Sequence, residues 1–292
     1  MILVTTPTGN TGSMILQQLI EQGQQVRIFL RDPRKIPAEI LEKVEVATGS
    51  FLNEYEFTEA LQGCDTLYFC VPQSNTQEDV NAYYEDFAKV ASQAIRNAGT
   101  KRVIYLSGGG KESNLQAGLL TALHKSEDII SQSGASVRAL RCPVFFETLL
   151  YQIVSLKKTG MFFLPIDGNY KSPQIAVRDI ASKAVELLID NTWTGVEGFA
   201  VHGPADISYN EIALQMSDVA GKPIRFQQVS KEDYIKTLLE EHHTSKAFAN
   251  SLTEMLEAIG SGLYAIEPRT EATTTTTTIK EWMIENLISK IN

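Results

Sequence analysis

Short apolar runs alternate with amphipathic stretches through the first half of the chain. Ile2–Thr5, Val26–Leu30, Val44–Ala47, Thr66–Val71, Val103–Ser107 and Val137–Arg141 are rich in Val, Ile, Leu or aromatic residues. Several are nearly continuous in apolar character, the mark of strands buried on both faces of a parallel sheet. Between the first two, Ile15, Leu16, Leu19 and Ile20 recur at helical spacing, and Gly23 stands where such a helix would stop. Tyr84, Phe87, Ala88, Ala91, Ala94 and Ile95 mark a second amphipathic helix that ends near Gly99. Strand and helix in repeated alternation predict an α/β fold of Rossmann type, a doubly wound parallel sheet.

Beyond Cys142 the pattern loosens. Phe145–Lys158 reads as helical, Ser172–Ala176 as extended and Val177–Ile189 as helical. Ser208-Tyr209-Asn210-Glu211 and Thr278-Ile279-Lys280-Glu281 both fit a capping box and predict helix starts. Leu238–Ile259 supplies further helical material, and the run Thr273–Thr278 allows either an extended segment or a mobile loop. No Pro/Gly/Ser-rich linker divides the chain. The expectation is a nucleotide-binding core over 1–150, to which later segments return. A smaller C-terminal α/β lobe over 151–292 would bind substrate and would not fold alone.

Composition narrows the classes. With 292 residues, 43% hydrophobic and 21% charged, the chain is of globular type, neither disordered nor fibrous. Its net charge of −9 argues against a nucleic-acid partner. No apolar run approaches the ~18–20 residues of a membrane span, and the first residues lack a signal-peptide pattern. Cys64, Cys70 and Cys142 are odd in number and scattered, so neither a disulfide framework nor a zinc cluster is expected. His242-His243 lacks a partner at metal-ligand spacing, and no metal is assigned. These features together predict a cytoplasmic protein; they leave its oligomeric state open.

Directly after the first strand come Thr5-Thr6-Pro7-Thr8-Gly9-Asn10-Thr11-Gly12 and then a helix. Free N–H groups at a helix start, reinforced by the helix dipole, suit a pyrophosphate. Gly9 would let the backbone approach phosphate and Gly12 would let helix and strand pack closely. An ordinary βα turn with two glycines is the plainer alternative. The loop resembles the GATGNTG loop of the NmrA-like family, an atypical branch of the short-chain dehydrogenase/reductases. Further matches run in family order: Val26–Lys35, Lys101–Ser107, Glu127–Phe146, Val177–Ala181 and Gly203–Gly221. The resemblance implies a Rossmann core, NAD(P) binding and a C-terminal substrate lobe; some members are reductases and others redox sensors. Two positions depart from the family. Thr6 replaces the first loop glycine, and Ser50, before Phe51, replaces an Asp that approaches the adenine amine.

The end of the second strand, Leu30-Arg31-Asp32-Pro33-Arg34-Lys35, selects the dinucleotide. Arg31 lies at the right separation from Gly12, and its planar fork suits a 2′-phosphate, with Lys35 or Arg34 as a second charge. Asp32 could instead accept from a ribose 2′-OH. In so acidic a chain the basic loop points to NADP(H) over NAD(H). Strand-end logic places Cys70, Val71 and Pro72 beside the ribose, and Ser107 and the following glycines after the fifth strand. It places Pro143 and Phe145 against the nicotinamide. Cys70 and Cys142 read as small buried residues, since no His neighbours them.

Short-chain dehydrogenases usually carry a Tyr and, four residues on, a Lys; by the family pattern these positions are Leu119 and Leu123. Ser107, His124 and Lys125 remain as candidate catalytic groups, with Lys125 also a candidate cofactor contact. A solvated helix face explains His124 and Lys125 equally well. Quinones, enones and imines need little strong acid, so loss of the pair leaves hydride transfer open. Phe146 and Tyr151 are the best candidates for a substrate wall among the aromatics after the sixth strand. The leading expectation is an NADPH-dependent reductase of a small apolar or cyclic unsaturated substrate. A non-catalytic NADP(H) sensor acting on a protein partner, and a redox-neutral cyclase or isomerase, are the alternatives.

Overall fold

A computed structural model describes residues 1–292. The first half runs β1 (Ile2–Thr5), α1 (Asn10–Glu21), β2 (Val26–Leu30), α2 (Ala38–Leu41), β3 (Glu45–Thr48), α3 (Glu54–Leu61), β4 (Thr66–Phe69), α4 (Val80–Ala98), β5 (Arg102–Gly108), α5 (Leu119–Ser131) and β6 (Ser136–Cys142). It continues through β7 (Val144–Phe145), a 3₁₀ segment Phe146–Gln152, α6 (Ile153–Thr159), β8 (Met161–Leu164), β9 (Ser172–Ile175), α7 (Val177–Ile189) and β10 (Val196–Ala200). The remainder is β11 (Asp206–Ile207), α8 (Tyr209–Ala220), β12 (Arg225–Gln228), α9 (Lys231–Glu240), α10 (Lys246–Gly260), a 3₁₀ turn Leu263–Ile266, α11 (Ile279–Asn286) and α12 (Ile288–Ile291).

Seven strands form one parallel sheet in the order β10-β6-β5-β4-β1-β2-β3. This is the doubly wound Rossmann arrangement, and its order reverses between β1 and β4. Successive side chains of β1 enter opposite cores. Leu3 joins Phe57, Phe69 and Ala91 beneath α3, α4 and α5, while Ile2 and Val4 join Leu16, Leu19 and Ala184 beneath α1 and α7. Burial on both sides is why β1 carries no polar alternation. A third core, centred on Trp282, Phe162 and Met216, lies in the C-terminal lobe, where β12 pairs with β8 and β9 lies between β11 and β7.

Local chemistry sets the boundaries. Asp79 caps α4 by accepting from the Ala82 N–H, and Gly99 ends it in the left-handed conformation at φ +69°. Both expected capping boxes form, Ser208 with Glu211 and Thr278 with Glu281. Two expectations need correction and one gains detail. The third strand sits one residue later than Val44–Ala47, with Arg27 bonding Glu45 from β2. The helical material expected over Leu238–Ile259 is divided between α9 and α10: His243 takes φ +51° and Ser245 caps the second helix by accepting from the Phe248 N–H. The stretch expected to be helical from Phe145 instead begins as strand β7 and a 3₁₀ segment before α6. No helix is long and apolar enough to cross a membrane.

Candidate functional site

The reversal between β1 and β4 opens a crevice at the carboxyl ends of the strands. The Thr5 hydroxyl fastens it, donating to the Tyr68 carbonyl at 2.9 Å and accepting from the Cys70 N–H at 3.2 Å. Next, Thr6 adopts φ +48°, a left-handed conformation that costs an L-residue about 1–2 kcal/mol. Its carbonyl then accepts from the Gly9 N–H at 2.9 Å. A Cβ on Gly12 would stand 2.2 Å from that same carbonyl oxygen, so only glycine lets α1 start here. Gly9 leaves α1 without a side-chain cap, and no acid lies in its first turn. Thr8 and Asn10 are exposed at this helix start, Gly9 is partly exposed, and Thr11 and Gly12 are buried behind them. Unpaired N–H groups and the positive end of the dipole therefore face the crevice with no protein anion to satisfy them.

At the end of β2, Asp32 is already committed. It caps the Pro33–Lys35 turn and takes two hydrogen bonds from Arg34, 2.8 Å from Nε and 3.0 Å from Nη2. That interaction holds the Asp32 carboxyl below its ordinary range. Arg31 is exposed, and its charge reaches the Tyr83 phenol, where it opposes the upward push of burial. Lys35 is exposed on the same turn. An uncapped helix start beside an uncommitted guanidinium fits a dinucleotide phosphate with a further phosphate at its ribose. Ser50 is partly exposed: its N–H donates to Glu56 Oε2 at 2.7 Å, and its hydroxyl accepts from the Leu52 N–H at 3.2 Å. The Phe51 ring packs on Phe29 at 5.0 Å and on Phe57 at 5.9 Å, so only its backbone is left to border a ligand.

At the ends of β4 to β6, Cys70 is half-buried, Val71 buried, and the Pro72 carbonyl accepts from the Tyr83 hydroxyl at 2.9 Å. Burial pushes the Cys70 thiol up to about 11, which removes it as a nucleophile at neutral pH. Three candidate catalytic groups turn out to be committed. The Ser107 hydroxyl is buried and donates to Glu127 Oε2 at 2.7 Å. His124 Nε2 meets the Gly108 and Gly109 carbonyls at 3.0 and 3.2 Å and so braces the end of β5. Burial lowers its pKa, favouring the neutral ring. Lys125 is half-exposed and faces Glu85 of α4 at 3.7 Å. Leu119 is buried, and Leu123 lies close to Gly108.

The substrate wall needs the same correction. Phe146 is buried against Trp282, 6.0 Å between ring centroids, while Tyr151 is 67% exposed on the 3₁₀ segment. The two rings do not share a pocket surface. Pro143 is buried and Phe145 partly exposed in β7, which pairs with β9. Sequence reasoning missed a buried charge cluster behind Ser107. Glu127 accepts from Arg141 at 2.8 Å and Lys111 at 3.0 Å; Arg141 also faces Glu267 at 3.7 Å. Burial opposes the Glu127 charge, but the bonds from Arg141 and Ser107 and the Lys111 charge outweigh it and keep its carboxyl below the ordinary range. The one available signal was a second arginine, Arg141, near the end of a strand that already carries Arg138.

A family model for the NmrA-like family matches residues 1–283. An NAD(P)H azoreductase from Xenophilus azovorans is 26% identical over 270 residues, covering 92% of this chain and 87% of that protein. Among solved structures, an NADPH-dependent quinone oxidoreductase from Escherichia coli, complexed with NADPH, superposes with a TM-score of 0.80 at 20% identity. That match covers 98% of this chain and 99% of the other. The triphenylmethane reductase of Citrobacter sp., complexed with NADP(H), gives 0.80 at 19% identity over the full length of both chains. Sequence and fold agree along the whole molecule, and the chain belongs to the NmrA-like family.

Proposed function

We propose that this chain is an NADP(H)-dependent oxidoreductase that transfers hydride to a small apolar or cyclic unsaturated acceptor of quinone, enone or imine type. The observation that carries the reading is the uncapped start of α1 at the sheet reversal, with Asp32 locked by Arg34 and Arg31 left free. The reductase relatives support it. The backbone of Thr8, Gly9, Asn10, Thr11 and Gly12 cradles the pyrophosphate, and Arg31 with Lys35 holds the 2′-phosphate. Ser50 and the backbone of Phe51 border the adenine. Cys70, Val71, Pro72, Pro143 and Phe145 line the path to the nicotinamide, which supplies the hydride. Ser107, His124 and Lys125 act from behind it: Ser107 and His124 fix the end of β5, and Lys125 tethers α5 to α4.

No Tyr–Lys pair is present to relay a proton, since Leu119 and Leu123 hold those positions. Acceptors that take hydride without a strong acid match this apolar helix face. The test follows NADPH oxidation with a panel of quinones, enones and cyclic imines. Turnover with at least one class is expected. Tight NADPH binding with inertness toward the whole panel would overturn the reading and favour a nucleotide sensor.

A further inference from the structure

The chain leaves β6 at Cys142, passes the buried Pro143 and pairs briefly with β9, Val144 opposite Gln174 and Phe145 opposite Ile175. Two residues later, the half-buried Glu147 reaches the helix that follows β9. The Val177 N–H, first in α7, donates to both of its oxygens, at 3.2 Å to Oε1 and 3.1 Å to Oε2. Oε1 also accepts from the Trp282 indole N–H at 2.8 Å. Trp282 is buried and belongs to α11. One carboxylate thus joins the segment beyond β6, a helix packed on the sheet and a helix of the C-terminal lobe. Helix α7 has no cap of its own, because its N-cap residue is Ala176. A Ser, Asp or Asn at that position would satisfy the helix locally. Asp179, in the first turn, is already held by the Thr277 hydroxyl at 2.7 Å and the Thr277 N–H at 3.1 Å. The cap comes instead from Glu147, where burial pushes the pKa up and the bonds from Trp282 and Val177 oppose the push. A cap brought from so far, against that burial, does more for the Pro143–Glu147 segment than for the helix.

We propose that Glu147 is a positioning residue that fixes Pro143 and Phe145 as the wall against which the nicotinamide lies. The inference rests on the cofactor reading above and deepens it. Sheet pairing holds this segment at β7, and the bonds of Glu147 hold it just beyond. With both ends fixed, Pro143 and Phe145 keep one placement relative to the end of β6. The effect belongs to one end of the dinucleotide. The phosphate loop lies between β1 and α1 and Arg31 follows β2, and none of the Glu147 bonds goes to either. Loosening Glu147 therefore weakens the grip on the nicotinamide and leaves the adenine and phosphate end as it was.

The probes are NADPH and 2′-phospho-ADP-ribose, the same nucleotide without its nicotinamide, titrated by calorimetry into the full chain. The reduced ring is neutral, so loss of the Glu147 charge does not by itself change its attraction. The unaltered chain is expected to bind NADPH more tightly than the fragment. Glu147→Gln leaves one of the two N–H donors facing an amide NH₂. It should weaken NADPH about tenfold, the equivalent of one hydrogen bond to a charged group, and leave the fragment within about twofold. Trp282→Phe keeps a ring against Phe146 and removes the indole N–H, and it carries the same test should the first variant unfold. Equal affinity of the unaltered chain for the two probes, equal loss of both, or loss of neither would each overturn the proposal and leave the cofactor reading intact. An unaltered chain that binds neither probe would remove that reading, and this inference with it.

Discussion

Replacing Arg31 by alanine isolates the contribution of a single charge to nucleotide choice. A charge-assisted hydrogen bond is worth about 1.5–3 kcal/mol, but Arg31 is exposed and solvent screens part of that. The expected loss for NADPH is about 1–2 kcal/mol, roughly 5–30-fold in dissociation constant. NADH has no 2′-phosphate to lose, so its affinity should stay within about twofold, or about 0.4 kcal/mol. The structure supplies a second arm. Arg34 occupies both oxygens of Asp32, so Arg34→Ala frees a carboxylate at the position where Rossmann sites that prefer NAD accept from the ribose 2′-OH. The double variant should therefore bind NADH better than Arg31→Ala alone. Fluorescence titration of the three proteins with both nucleotides measures all of these effects. Equal losses for NADPH and NADH would mean that Arg31 supports the fold; no loss for either would remove it from the site.

Two further outcomes rest on buried charge. Arg141→Leu strips Glu127 of its main partner while Lys111 remains, so urea unfolding should report a loss of about 2–4 kcal/mol, at or below the range for broken buried pairs. A change under about 0.5 kcal/mol would show instead that the pair behaves like a surface one. His124 and His202 both have pKa values lowered by burial, so the unfolded chain takes up protons first as pH falls below about 6.5. Stability should then decline with acidification from that value down to the folded pKa. In His124→Gln, which keeps a donor for the Gly108 and Gly109 carbonyls, the decline should be shallower but still present because His202 contributes with the same sign. Identical slopes for the two proteins would refute burial as the cause.

Strands β1 and β2 were legible to the residue because both are short, mostly apolar runs buried on two faces, with Arg27 the one charged residue, half-buried on β2. The phosphate loop was legible because its glycines mark a close approach, which the 2.2 Å overlap at Gly12 makes concrete. Strand β10 was not: Val196-Glu197-Gly198-Phe199-Ala200 is half-exposed at the sheet edge, and its register against β6 is set by tertiary pairing. Nor was the fate of Ser107 legible. The groups that claim it, Glu127 with Lys111 and Arg141, lie on other segments, and no local spacing announces them. Phe146 and Tyr151 look alike as letters, but the 3₁₀ segment turns one ring into the core and the other to solvent.

The Thr273–Thr278 run, a stretch that compositional filters would set aside, is made of positions with separate duties. The Thr273 carbonyl accepts from the His202 N–H at 2.7 Å, and the Thr275 N–H donates back to His202 at 2.8 Å. The Thr277 hydroxyl donates to Asp179 at 2.7 Å and accepts from Arg178 at 2.8 Å, and Thr278 caps α11. Since every neighbour is also a threonine, gaining or losing one repeat unit leaves the right side chain at the buried hydroxyl and at the cap. The slack moves upstream toward Ala272, where the backbone is exposed. A repeat of one letter thus hides a division of labour: identical side chains serve as a backbone bridge, a buried hydroxyl and a helix cap, and the fold alone tells them apart.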